Sequence, residues 1–434
     1  MNSGPDEPVA PRQPPSIEPA AHPIERPAPQ VQSEPVPRAA AMPPQESLPR
    51  YPFQRVHSPL TSSVGQQIRH FGERHPQRKA DRFSKVGDSI TRSAKFLTCL
   101  AETDPAQLDP ALQQTLKGLH ASPFDSLRRE SSCAENGWSA WQPLAGRQPP
   151  LVRELGEVQG LFAFVLLGTN DIETSRVTTF ARRFVKLIDA TLAQGAIPLV
   201  STIPERRDRQ LSRLKVPRFN AAIRAIAQAR RVPLVDLHYA LSQLPNEGLA
   251  NDGIHPSVLS FAGQVRACDF GPAGLRHGFN VRNWLALQSL ARVQSVLSGE
   301  WEPDVEAAPA TSEIEGRLQI AELPFVEVRS LTAPRAELPG CTTPAAPGAR
   351  DGSLAFRYEV ALAHPAFLEV LALSSATAES LAIEVTPVQE PARCLAVGKG
   401  FTRTALGRGN YSVTVSGKAT AAMVGVLLGR NAAS

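Results

Sequence analysis

The sequence predicts an α/β protein, a three-layer sandwich on a central parallel sheet, followed by a small all-β sandwich domain. Three observations carry that prediction. Residues 80–296 alternate short apolar runs with stretches whose apolar positions recur every three or four residues, as strand and helix do in turn. The run LFAFVLLG at 161–168 is apolar without interruption, the mark of a parallel strand covered on both faces. From residue 316 the helical period gives way to short segments rich in Val, Leu and Ile, separated by Gly, Pro and Ser.

The elements follow in order. RFSKVG (82–87) is the first strand and 161–168 the second. Val177, Phe180, Phe184, Leu187, Ile188 and Leu192 then form one stripe, which predicts an amphipathic helix over 177–193. AIPLVSTIP (196–204) is a strand, RFNAAIRAIAQARR (218–231) a second amphipathic helix and VPLVDLH (232–238) another strand. This alternation requires right-handed crossovers and a parallel sheet between helix layers. The last helix of the domain is VRNWLALQSLARVQSVL, 281–297. Beyond it, AFRYEVALA, AFLEVLALSS, LAIEVTPV, NYSVTVSG and AAMVGVLLG read as strands of a β-sandwich.

Composition divides the chain further. The first 60 residues hold 16 of the 40 prolines with almost no periodic apolar pattern, and cannot bury enough surface to offset their ordering entropy. The expected organisation is a disordered Pro-rich linker over 1–60, the α/β domain over 61–298, a linker over 299–315 and the β-sandwich over 316–434. Neither LFAFVLLG nor AAMVGVLLG approaches the roughly 18 apolar residues of a membrane helix. The 46 basic and 41 acidic residues are interspersed, without the basic face a nucleic-acid binder needs. The five cysteines lack metal-ligand spacing, so no metal is expected; Cys99 with Cys268 and Cys341 with Cys394 are candidate pairs that leave Cys133 free, and spacing alone does not fix connectivity. MNSGPDEPVA has neither a basic nor an apolar stretch of the signal-peptide kind, so the cytoplasm is its literal reading. A proline-rich tether and two disulfides argue for export, which is the expectation here.

In open α/β sheets functional residues gather in loops at the carboxyl ends of strands. Here those loops carry GDS (87–89), GTND (168–171) and DGIHPS (252–257). Ser89 alone reads by default as a helix N-cap, and the case for a nucleophile has to come from elsewhere in the chain. Ester hydrolysis through a serine needs a base, a carboxylate to orient it and donors for the oxyanion, and Ser89, His255, Asp252 and Asn170 supply these kinds of group. Other candidates have blander readings. Asp171 fixes its loop through backbone hydrogen bonds, Asp236 and His238 are structural, and His70 and His75 are solvated. Trp138 and Trp141 fill core or wall a pocket; Arg206 and Arg207 belong to a solvated loop or meet an anionic substrate.

These motifs resemble the SGNH (GDSL-type) hydrolase superfamily over residues 80–297. GDSI matches its first block, with the nucleophile at Ser89; GTND matches the third, with Asn170; DGIHP matches the fifth, with Asp252 and His255. The second block, whose glycine N–H enters the oxyanion hole, is assigned to Gly137 in ENGWSAW, where the surroundings depart from the usual pattern. The resemblance implies a flavodoxin-like fold and a cofactor-free serine esterase with Ser89, His255 and Asp252 as triad. Ser89 and Gly137 N–H and the Asn170 amide would form the oxyanion hole. It further implies a short-chain acyl ester as substrate, for instance acetyl groups on an extracellular polysaccharide. A lipid ester, acyl transfer and a silent surface-binding protein are the alternatives. GRGNYSVTVSG is similar to the closing hairpin of pre-peptidase C-terminal modules. Oligomeric state is not legible.

Overall fold

A computed structural model describes residue 51 and residues 55–305, 320–323, 353–362, 365–374, 377, 379–387, 395–418 and 422–430. By contact the chain divides into residues 1–46, outside the described set, and residues 47–434. The Cys341–Cys394 pairing likewise lies outside the described residues.

Four parallel strands form the central sheet in sequential order: β1 (Lys79–Gly87), β2 (Gly160–Leu166), β3 (Ile197–Ser201) and β4 (Leu234–Val235). Nine helices surround it among the described residues: α1 (Ser62–Arg74), α2 (Ser89–Arg92), α3 (Pro110–Ala121), α4 (Pro150–Val158), α5 (Asp171–Thr174), α6 (Val177–Ala193), α7 (Gln210–Ala229), α8 (Leu237–Ser242) and α9 (Gly278–Ser298). Every residue of β2 is buried, as its unbroken apolar run requires. Successive crossovers of one hand put α6 and α7 on one face, where the Phe180 ring lies 5.4 Å from Phe184 and 4.7 Å from Phe219. On the other side α9 packs against α1 and α3.

The stripe read over 177–193 is α6 residue for residue. Helix α7 starts eight residues before the predicted one and runs through Pro217, which removes one helical donor without ending the helix. β4 is shorter than VPLVDLH because Asp236 leaves the strand to cap α8, accepting from Tyr239 N–H at 3.1 Å. Packing also begins before residue 61. Tyr51 is buried with its hydroxyl on Val232 O at 2.8 Å, and Ser58 N–H donates to Leu234 O, also at 2.8 Å. At the other end Asp304 accepts from Leu60 N–H and Arg292.

A two-stranded hairpin, β5 (Ser260–Phe261) with β6 (Gln264–Val265), precedes α9. The C-terminal strands are β7 (Ile320–Leu323), β8 (Ser353–Leu362), β9 (Ala366–Ser374), β10 (Ala382–Pro387), β11 (Ala396–Lys399), β12 (Phe401–Leu406), β13 (Gly409–Lys418) and β14 (Ala422–Arg430). They make two antiparallel sheets, ordered β11-β10-β13-β8 and β12-β9-β14-β7. The GRG turn therefore passes between sheets and does not close a hairpin: β12 pairs with β9, β13 with β10 and β8.

Candidate active site

Strand β1 delivers the first motif. A Cβ on Gly87 would sit 2.2 Å from Thr91 Oγ1 and 2.8 Å from Leu166 O, so the tight turn out of the sheet admits glycine alone. The cap of α2 is Asp88, whose carboxylate accepts from Ile90 N–H at 3.0 Å, and Ser89 is the first helical residue. That corrects the N-cap reading of Ser89: the preceding acid caps the helix and leaves the serine hydroxyl free for chemistry. The far end of α2 is held by buried Arg282 of α9, which donates to Ile90 O at 2.6 Å and Thr91 Oγ1 at 2.9 Å with its guanidinium 3.6 Å from the centre of the Phe96 ring.

The loop before β5 brings an imidazole, His255, and a carboxylate, Asp252. Asp252 Oδ1 accepts from the N–H groups of Ile254 (2.9 Å) and His255 (3.0 Å), while Oδ2 accepts from His255 Nδ1 at 2.7 Å. With Nδ1–H committed to a carboxylate, Nε2 is the accepting nitrogen, and it stands 2.8 Å from Ser89 Oγ. Partial burial of Asp252 raises its carboxyl, but the Ile254 and His255 N–H groups and the imidazole outweigh this and hold it below the usual range. The loop is braced by Ala250 N–H to His255 O and by Arg207 N–H to Gly253 O, both 2.8 Å.

The oxyanion candidates converge on the same place. Gly87 N–H donates to Cys133 O and Glu135 N–H to Gly87 O, so the second motif runs beside the end of β1. Gly137 then turns with φ +77°, a conformation that suits glycine, and lines a cleft with Ser89 and His255. Neither Ser89 nor Gly137 N–H donates to an acceptor among the described residues. Asn170 gives one amide N–H to Trp138 O at 2.9 Å, next to Gly137, which orients the other. Asp171 is buried and accepts from Ala140 N–H at 2.8 Å, the loop-fixing part expected of it.

Two buried carboxyls lie behind this arrangement. Burial pushes Asp88 up to about 6 against the Ile90 N–H and the Arg282 charge, and pushes Asp171 up to about 6 against the Ala140 N–H. Arg206 is neither solvated nor aimed at a substrate: it is buried, bonded to Thr169 O, Glu173 and Asp208, and ties the GTND loop to the loop after β3. Asp236 pairs with buried Arg224 at 2.7 Å and is structural, and His238 reaches Glu205 at 3.5 Å. Trp138 packs against the core, while Trp141 is half exposed. Cys99 and Cys268 are disulfide-bonded, and Cys133 is free and buried. The contacts of Arg282 and the cap at Asp88 have no local pattern that marks them in the sequence, and Arg206 is marked there only as a loop residue.

The cleft holds about 630 Å³ and is lined by Ser89, Arg92, Ser93, Lys95, Asn136, Gly137, His255 and Phe279. Among the described residues no helix is long and apolar enough to cross a membrane, and no group of three His, Cys, Asp or Glu is disposed to hold a metal ion. Chemically, the arrangement can move a proton from a serine hydroxyl to an imidazole while N–H donors face the adjoining space.

Residues 86–259 match the model of the GDSL-like lipase/acylhydrolase family, whose description is that of ester-bond hydrolases. No curated protein matches the sequence. Among solved structures the chain is similar to a GDSL-like lipase from Bacteroides thetaiotaomicron at 13% identity, over 52% of this chain and 98% of that one, with a TM-score of 0.32. It is similar also to a catalytic mutant of an acetylxylan esterase from Geobacillus stearothermophilus, at 15% identity over 48% of this chain and 93% of that one, with a TM-score of 0.32.

Proposed function

We propose that this GDSL-like domain is a serine esterase that hydrolyses short-chain acyl esters, with Ser89 as nucleophile, His255 as general base and acid, and Asp252 as the group that orients it. The observation that carries the reading is the unbroken chain from Ser89 Oγ through the imidazole to the carboxylate, at 2.8 and 2.7 Å. His255 Nε2 takes the hydroxyl proton as Oγ attacks the ester carbonyl, and Asp252 stabilises the imidazolium. The oxyanion is met by the N–H groups of Ser89 and Gly137 and by the Asn170 amide. His255 then protonates the departing alcohol, and water repeats the sequence on the acyl-enzyme.

The cleft lining favours a short acyl group. Each methylene of a long chain gains about 0.8 kcal/mol only where apolar wall covers it, and the lining offers one large apolar side chain, Phe279. An open, polar cleft suits an ester on a sugar, and an acetylated extracellular polysaccharide is the substrate we infer. The Cys99–Cys268 disulfide supports export to an oxidising compartment.

The test is acetate release from acetylated polysaccharide and turnover of p-nitrophenyl acetate by wild type and Ser89→Ala. Loss of at least about 10³-fold in kcat by the variant is expected. Equal turnover by the two proteins sinks the assignment.

A further inference from the structure

The cleft does not end at His255. A second recess of about 520 Å³ opens beyond it, walled by Pro256, Ser257 and Val258 directly after the histidine and closed by Lys95, Arg276 and His277. Lys95 lines both spaces, and the residues that follow His255 wall the recess, which places it next to the cleft. The direction matters for chemistry. The alcohol oxygen that leaves must come within hydrogen-bond reach, about 3 Å, of His255 Nε2, so the alcohol half of the ester extends past the imidazole.

The charges lining this space are of one sign. Lys95 and Arg276 carry the fixed charge there, and no carboxylate lines either space. The acids nearby are turned elsewhere. Glu247 bonds Arg213 at 2.7 Å and reaches Arg207, Asp252 holds His255, and Glu135 bonds Arg92. Asp269 accepts from Gly271 N–H in its own loop. Among the described residues neither Lys95 nor Arg276 has an acid partner, and Arg276 is exposed. Lys95 is steadied by the face of Phe279, with Nζ 5.7 Å from the ring centre, in a place where both halves of the cleft meet. Two cations lining one recess without a carboxylate in its wall attract an anion.

We propose that the alcohol moiety of the ester substrate is anionic, and that its carboxylate or phosphate seats between Lys95 and Arg276 in the recess beyond His255. The proposal rests on the esterase reading, which assigns that side of the cleft to the alcohol. A sugar bearing a carboxylate or a phosphate beside its acyl group is the class of substrate that fits.

The experiment compares kcat/KM for acetylated glucose, acetylated glucuronic acid and acetylated glucose phosphate at low and high ionic strength. The wild type is expected to favour one or both anionic esters by about tenfold, an advantage that shrinks with salt. Which arm gains more identifies the anion. Arg276→Gln and Lys95→Gln are each expected to lower the anionic-to-neutral ratio about fivefold, the reach of one charge-assisted hydrogen bond. A wild-type ratio near one, or a ratio that neither variant changes, overturns the proposal. Calorimetric titration of the Ser89→Ala protein with glucuronate, glucose phosphate and glucose separates this from the parent reading. Arg276-dependent anion binding without hydrolysis of any ester would defeat the esterase assignment and leave the anion site. Hydrolysis with no preference for either anion over glucose in binding defeats the anion site alone.

Discussion

Asp88 works at the scale of single atoms. It caps α2 and is buried, and burial pushes its carboxyl and that of Asp171 up to about 6 from an ordinary 3.8, for Asp88 against the opposing charge of Arg282. Between about pH 4 and pH 6 the folded protein therefore keeps protons that the unfolded chain has released, and stability falls as pH rises through that window. For Asp88 the loss is on the order of 2–3 kcal/mol by pH 7. Asp88→Asn keeps an oxygen for the Ile90 N–H and removes the titration. Its melting temperature should consequently decline less than the wild type's between pH 4.5 and pH 7.5. An identical slope in thermal unfolding scans would show that the carboxyl is not responsible. The same residue marks a limit on what the sequence discloses. Ser89, Asn170, Asp252 and His255 were legible because each stands inside a short motif in a loop, where local spacing carries the chemistry. The cap was assigned to Ser89 because serine and aspartate are equally good acceptors, and only the backbone trace decides between neighbours.

Among the elements, α2 is the exposed point of the design. A helix of four residues has almost no stability of its own, so its geometry comes from what grips it. Asp88 holds its start, and Arg282 holds its end from α9, 192 residues away in sequence. A contact across that distance leaves no trace in local periodicity, which is why Arg282 reads as an unremarkable member of the last helix; Arg206, bonded to Thr169 37 residues back, reads as a solvated or substrate-facing loop residue for the same reason. Burial draws the Arg282 guanidinium below its usual range against the attraction of Asp88, so the side chain is held where a mobile one would seek water. Arg282→Met keeps most of the apolar stem and removes both hydrogen bonds to α2. Displacing the proposed nucleophile, Ser89, by about 1 Å would cost up to about 10²-fold in rate, so kcat for p-nitrophenyl acetate should fall by that order with KM changed little. A rise in KM with kcat intact would mean that Arg282 shapes the cleft and does not position Ser89. The strands fared differently. β2 is readable from its apolar run, β1 begins three residues before RFSKVG, β3 ends three residues short of AIPLVSTIP, and β4 is shorter than VPLVDLH because the carboxylate that ends it lies inside the run.

The whole molecule joins two architectures of unlike legibility. The α/β order follows from alternation along the chain, since each crossover connects neighbouring strands. The sandwich does not, because β13 pairs with β8 and β10 while its neighbour β12 joins the other sheet, and short strands of similar composition do not declare their partners. Their attachment to the α/β domain is equally nonlocal. Helix α7 packs against β14, and Leu371 and Leu373 of β9 enter the same core as Phe180 and Phe219. At that contact Arg218 of α7 binds Glu369 through two hydrogen bonds of 2.5 Å, and Arg403 of β12 approaches the same carboxylate at 3.1 Å. Glu369 is buried, so removing it takes away the acid that joins two partly exposed guanidiniums, a change worth about 1–3 kcal/mol. For the wild type this argues a single cooperative unfolding transition. Glu369→Ala should uncouple the sandwich, giving an earlier transition by calorimetry and faster proteolysis of the C-terminal strands. Turnover of p-nitrophenyl acetate should stay within about twofold of wild type, since neither Arg218 nor Glu369 lines the cleft. A variant that still melts in one step at the wild-type temperature would move the docking energy from this ion pair to the apolar contact of Leu371 and Leu373.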